Sequence, residues 1–96
     1  MKELDLLRTR IDQIDSQIAI LFEERMKVSR EIGLVKSQNN LQILDKKRET
    51  LVKTSREAYI NDKTLLPYWN ELLDCILKLS KEYQWTLKED SLYPKK

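Results

Sequence analysis

At 96 residues the chain is one domain at most, and it lies near the lower limit at which a hydrophobic core alone holds a fold, so a second copy is expected to complete it. One Gly and two Pro among 41% apolar and 35% charged residues exclude a sheet protein built on tight turns and predict an all-α fold. The absence of His excludes Ser-His or Cys-His catalysis and imidazole metal sites, and a net charge of +2, with bases interspersed among acids, argues against nucleic acid as a partner.

Leu4, Leu7, Ile11, Ile14, Ile18, Leu21, Arg25, Val28, Ile32 and Val35 recur at alternating spacings of three and four, the seam of one long amphipathic helix ending near Ser37. A helix of about 34 residues is roughly 50 Å long, whereas a compact chain of this length has a radius of gyration of ~12.5 Å. The helix therefore overhangs any monomer, and the economical cover for its seam is a second copy in a shared long-helix interface. Gln38-Asn39-Asn40 is a polar break. Asp45 is placed to cap a short second helix reaching about Tyr59. After Asn61-Asp62-Lys63, a third helix of medium length starts near Thr64, tolerates Pro67 in its first turn, and carries Trp69, Leu72, Leu73, Ile76, Leu77, Tyr83 and Leu87. Residues 90–96 are expected to form a loose tail, and residues 1–96 read as a single domain.

Met1-Lys2-Glu3-Leu4-Asp5 has no apolar signal core, and no stretch approaches the roughly 20 apolar residues of a membrane span, so a cytoplasmic protein without a membrane partner is expected. The single Cys75, inside an apolar run, has no partner for an internal disulfide and reads as a buried core residue in a reducing compartment.

The interruptions of the apolar pattern carry the chemistry. Arg25 stands where the seam calls for Leu or Ile, and a guanidinium there requires an anion, either an acid elsewhere in the bundle or a ligand. Lys36 lies eleven residues on, close to three turns, so Arg25, Ser29, Ile32 and Lys36 form one stripe whose two cations suit a buried anion. Arg8 is about 25 Å from Arg25 along the axis and cannot reach the same pocket in its own chain. In a crossed or antiparallel dimer it reaches the partner's; otherwise it is a solvated surface Arg. Asp45, Arg48 and Glu49 share a face of the second helix, as a site or as a cap followed by surface charges. Ser80 and Gln84 continue the stripe of Trp69, Leu73 and Ile76, where polar groups need partners unless the helix end frays.

Taken together, Leu7-Arg8, Ile11, Ile14-Asp15, Leu21, Glu24-Arg25, Ile32-Gly33, Lys36, Asp45-Lys46-Lys47-Arg48-Glu49, and Ser80 with Gln84 resemble the signature of the all-helical chorismate mutases over Leu4 to Gln84. The resemblance implies three helices per chain in an intertwined homodimeric bundle, with two sites each built mainly from one subunit plus an Arg from the other. It assigns the partner's Arg8 and this chain's Arg25 to the two substrate carboxylates, and Lys36 to a carboxylate and the ether oxygen. Gln84 is implied to donate to that oxygen, and Glu49 to accept from the ring hydroxyl with Asp45 and Arg48 supporting that end. Ser80 is implied to assist a carboxylate, and Ile32 and Val52 to form apolar walls.

The implied reaction, chorismate to prephenate in aromatic amino-acid biosynthesis, is a cofactor-free and metal-free [3,3] rearrangement of a dianion. Two rivals remain. One is an isochorismate-pyruvate lyase of the same fold, against which Glu49 argues. The other is a non-catalytic helical dimer in which Arg25 and Lys36 only make interchain salt bridges. Nothing in the chain reads as a regulatory domain or a fused dehydratase, dehydrogenase or synthase, while association with another shikimate-pathway enzyme stays open.

Overall fold

A computed structural model describes the backbone of residues 1–92 and the side chains of residues 1–87. Three helices follow in chain order: α1 (Lys2–Gln38), α2 (Lys46–Arg56) and α3 (Leu66–Leu92). Two short 3₁₀ turns, Glu57–Tyr59 and Lys63–Leu65, link α2 to α3. The described residues contain no strand, and none of their helices is long and apolar enough to cross a membrane. The all-α expectation and all three helices are thus observed. Of the expected loose tail at 90–96, the first residues continue α3 and residues 93–96 lie outside the described residues.

Each boundary has a local cause. α1 stops at the polar break, where Asn40 takes a left-handed φ of 55° and the Leu41 amide bonds back to the Lys36 carbonyl at 2.8 Å. That six-to-one closure needs a residue tolerant of positive φ, and Asn serves where Gly is absent. The Asn39 side chain adds a bond from Nδ2 to the Val35 carbonyl at 2.8 Å. Asp45 caps α2 as expected, its Oδ1 accepting from the Arg48 amide at 3.0 Å. Asp62 caps the entry to α3 by accepting from the Thr64 amide at 3.0 Å and the Thr64 hydroxyl at 2.6 Å. Pro67 is the second residue of α3, where its missing N–H costs nothing.

The chain is extended, 55 × 34 × 15 Å with a radius of gyration of 17.4 Å, against the ~12.5 Å of a compact globule. α1 alone accounts for the long axis, since 37 residues rise about 55 Å. α3 packs along the C-terminal half of α1, and α2 packs against α3.

The packing surface of α1 differs from the apolar seam. What is buried there is Ser29 and Gly33, small residues that let α3 approach closely: a Cβ built on Gly33 would stand 3.0 Å from Gln84 Cγ. The seam itself remains uncovered over its whole length, from Leu4 (41% exposed) through Ile18 (58%) to Val35 (54%). Among the described residues the apolar core of one chain reduces to Ile43, Val52 and Leu73, accompanied by the buried polar residues Ser29, Ser80 and Gln84.

Cys75 corrects an expectation, for it is exposed. Its apolar neighbours in sequence misled, because on a 3.6-residue helix Leu73, Ser80 and Gln84 share the buried face while Cys75 is turned to the opposite side with Tyr68, Leu72 and Leu79.

Candidate active site

Where α1, α2 and α3 converge, a cavity of about 400 Å³ opens, within the size range of small-molecule sites. Every expected site residue except Arg8 lines it: Arg25, Ile32 and Lys36 from α1, Asp45 at the head of α2, Arg48, Glu49 and Val52 from α2, and Ser80 and Gln84 from α3. Arg8 sits on the bare N-terminal part of α1 outside this cavity, as the length of the helix requires.

The α1–α3 wall is a polar network. Arg25 Nη1 donates to Ser80 Oγ at 2.5 Å, Ser29 Oγ donates to the Ser80 carbonyl at 3.4 Å, and Gln84 Nε2 donates to the Ser29 carbonyl at 2.9 Å and to Ser29 Oγ at 3.0 Å. These buried groups are therefore satisfied, and the network fixes the guanidinium of Arg25 at the cavity wall. Gln84 is held by its own chain at the amide that the resemblance aims at substrate. At the other end Lys36 Nζ donates to the Ile43 carbonyl at 2.9 Å, tying the α1–α2 loop to the end of α1. Asp45 serves as helix cap, and Glu49 Oε2 meets Lys81 Nζ at 2.9 Å.

The charges are unequal. Five cations line the cavity, Arg25, Lys36, Arg48, Arg56 and Lys81, against the two carboxylates of Asp45 and Glu49. Among the described residues only Lys81 of the five makes an ion pair. Burial first, and the nearby charge of Arg56 second, hold the pKa of Arg25 below its ordinary value. A guanidinium so placed stays protonated at neutral pH, but its charge is partly desolvated and repelled by a neighbour of like sign. An anion in the cavity relieves both costs.

Sequence reasoning missed Arg56 and Lys81. A signal for each was present: Arg56 is seven residues past Glu49 and four past Val52, and Lys81 is four past Leu77 and three before Gln84, all spacings that keep to one helix face. Arg56 packs over the Tyr59 ring at 5.6 Å and donates to Ser55 Oγ at 3.0 Å, which holds its head at the margin of the cavity.

The family model described as chorismate mutase type II matches residues 7–85, a stretch that contains every expected site residue. The chain is 33% identical over 90 residues to the bifunctional chorismate mutase/prephenate dehydratase of Aquifex aeolicus (strain VF5), an alignment covering 85% of this chain and 25% of that protein. The chain thus spans about a quarter of the length of that curated relative. No solved structure matches it. With this match over residues 7–85, and three helices and no strand among the described residues, the chain belongs to the chorismate mutase type II family.

Proposed function

We propose that the cavity catalyses the [3,3] rearrangement of chorismate to prephenate in aromatic amino-acid biosynthesis. The observation that carries this reading is the surplus of cations, four without an ion-pair partner among the described residues, around a cavity of small-molecule size in a chain of this family. The substrate is a flexible dianion whose C–O bond breaks as a C–C bond forms, and no proton need move. Arg25 binds one carboxylate with Ser80 beside it, and Lys36 leaves the Ile43 carbonyl to reach a carboxylate and the ether oxygen. Gln84 turns its amide from Ser29 to that same oxygen, where negative charge develops. Glu49 accepts from the ring hydroxyl, with Asp45 and Arg48 at the same end, and Ile32 and Val52 confine the ring.

An acceleration of ~10⁶-fold requires about 8 kcal/mol, and one preorganised donor contributes about 3 to 4. Two donors and conformational confinement therefore act together.

The working unit in this reading is a homodimer. The exposed seam of α1 and the sparse core of one chain support it, as does the distance of Arg8 from its own cavity. A crossed pair of long helices brings Arg8 of each chain to the other's cavity, where it binds the second carboxylate. The lone exposed thiol of Cys75 suits a reducing, cytoplasmic setting. The Aquifex relative's name joins a mutase to a prephenate dehydratase, which favours association of this chain with a neighbouring enzyme of the same pathway.

The test follows the loss of chorismate absorbance with product identification, beside Arg25→Ala and Lys36→Ala. Prephenate formation by the parent, and a fall of roughly 10²-fold or more in kcat/KM for each variant, is the expected result. A parent that leaves chorismate intact but splits isochorismate establishes the lyase instead, and inertness toward both leaves a non-catalytic helical module.

A further inference from the structure

Lys81 stands between Ser80 and Gln84 on α3 and pairs with Glu49 on α2, Nζ to Oε2 at 2.9 Å, with both side chains 24% exposed and both lining the cavity. Partial burial gives the pair a less screened environment than the other side-chain ion pairs, Lys53 with Asp74 and Lys78 with Glu82, whose partners are each about half exposed or more. The pair also answers a problem set by the cavity itself. Asp45 spends its carboxylate on the α2 cap, whereas Glu49 faces a cavity otherwise suited to an anion. An uncompensated carboxylate there repels a dianion, while its removal forfeits the acceptor.

We propose that Lys81 is a positioning residue that neutralises Glu49 and holds its Oε2, so that the site admits a dianion while the second oxygen of Glu49 accepts from a substrate hydroxyl. Lys81 acts through Glu49 and does not itself touch the substrate. The specificity that results is for an anion bearing a hydroxyl donor at the α2 end. A neutral residue at position 81 leaves Glu49 charged against the incoming dianion, and the cost appears in binding more than in the chemical step.

The inference rests on the chorismate reading, and the experiment separates the two. Steady-state kinetics with chorismate and melting temperatures are measured for the parent, Lys81→Met, Lys81→Arg, Glu49→Gln and the Glu49→Gln/Lys81→Met double variant. Lys81→Met is expected to raise KM roughly tenfold with a smaller change in kcat, and Lys81→Arg to restore KM to within about threefold. In the Glu49→Gln background, where no charge remains to cancel, Lys81→Met is expected to shift KM by less than about twofold. Where turnover with Gln at position 49 is too slow, the same cycle is read from the dissociation constant of chorismate by calorimetry. An equal loss in both backgrounds overturns the proposal, because Lys81 then contacts substrate directly. A lowered melting temperature with unchanged KM overturns it in favour of a structural tie between α2 and α3. A parent inert toward chorismate removes the reading of the site and this inference with it, whereas either other outcome in an active parent removes the inference alone.

Discussion

The two halves of α1 have the same apolar seam and opposite surroundings. From residue 1 to residue 24 every position is exposed, so the N-terminal half touches nothing that covers it. The C-terminal half lies against α3, yet it does so through Ser29 and Gly33, beside the seam, and it carries Arg25 and Lys36 into the cavity. Two faces of one helix thus differ in use: close backbone approach by small residues builds the cavity wall within the chain, and the bare seam beside them is the surface on which the proposed dimer rests.

The strongest way to break this contrast is a charge in the bare half. Ile14→Asp, at a seam position 47% exposed in the single chain, is expected to shift the sedimenting species from dimer to monomer. It should also cut mutase activity by roughly a hundredfold or more, since an unpaired carboxylate in an apolar interface is costly. A variant that sediments and turns over like the parent removes the N-terminal half from the interface.

Mixing Arg8→Ala with Arg25→Ala sharpens the same point. In the proposed dimer each variant alone is expected to spoil both sites, whereas half of a randomly mixed population is heterodimeric and holds one site with both arginines, so about a quarter of parental activity is expected to return. No recovery after exchange of subunits means that Arg8 does not serve its partner.

On α3, packed against the covered half, the proposed donor role of Gln84 has a pH signature. The parent is expected to be nearly flat from pH 5 to 8, because an amide donates at any pH. Gln84→Glu should work mainly at the acidic end, where a carboxylic acid still carries its proton. Equal activity of that variant at pH 8 counts against the role.

Gly33→Ala probes the close approach itself. The new Cβ meets Gln84 Cγ at 3.0 Å and Gln84 Cβ at 3.3 Å, and Gln84 has little room to yield while both its bonds to Ser29 hold. The helix gains about 0.5 to 1 kcal/mol from the loss of glycine, so stability should change by less than about 1 kcal/mol. Meanwhile kcat/KM is expected to fall several-fold as the Gln84 amide is displaced. Unchanged kinetics would show that the amide tolerates the shift.

The smallest effect belongs to Asp62→Ala, remote from both halves of α1. The Thr64 hydroxyl first and the Thr64 amide second hold the Asp62 carboxyl below its ordinary pKa. Its contribution is therefore present above the unfolded value and lost as pH falls through the lower folded one. A slight drop in melting temperature at pH 7 that vanishes in strong acid is expected, and a drop that persists there assigns the effect to something other than the cap.

The helices and the Asp45 cap were legible because they rest on local rules, a 3.6-residue period and capping chemistry, and the polar residues that interrupt the apolar stripes, Arg25, Lys36, Ser80 and Gln84, all line the one cavity. Lys81 and Arg56 obey the same spacing and were passed over because a charged residue on a helix face is ordinary until something is seen opposite it. Cys75 was misplaced for a related reason, since an apolar run does not say which of its residues faces inward.

Local sequence thus sufficed for the number, order and approximate bounds of the helices, for the inability of one chain to bury its longest seam, and for the placing of Arg25 and Lys36 on one stripe, because all of these are set by residues within a few turns of one another. The bonds of Gln84 to Ser29, the pairing of Lys81 with Glu49, and the approach of α3 across Gly33 join residues about 30 to 55 positions apart. Their existence depends on which faces meet when three helices pack, and that follows from the shape of the assembled surfaces and not from any one helix's pattern.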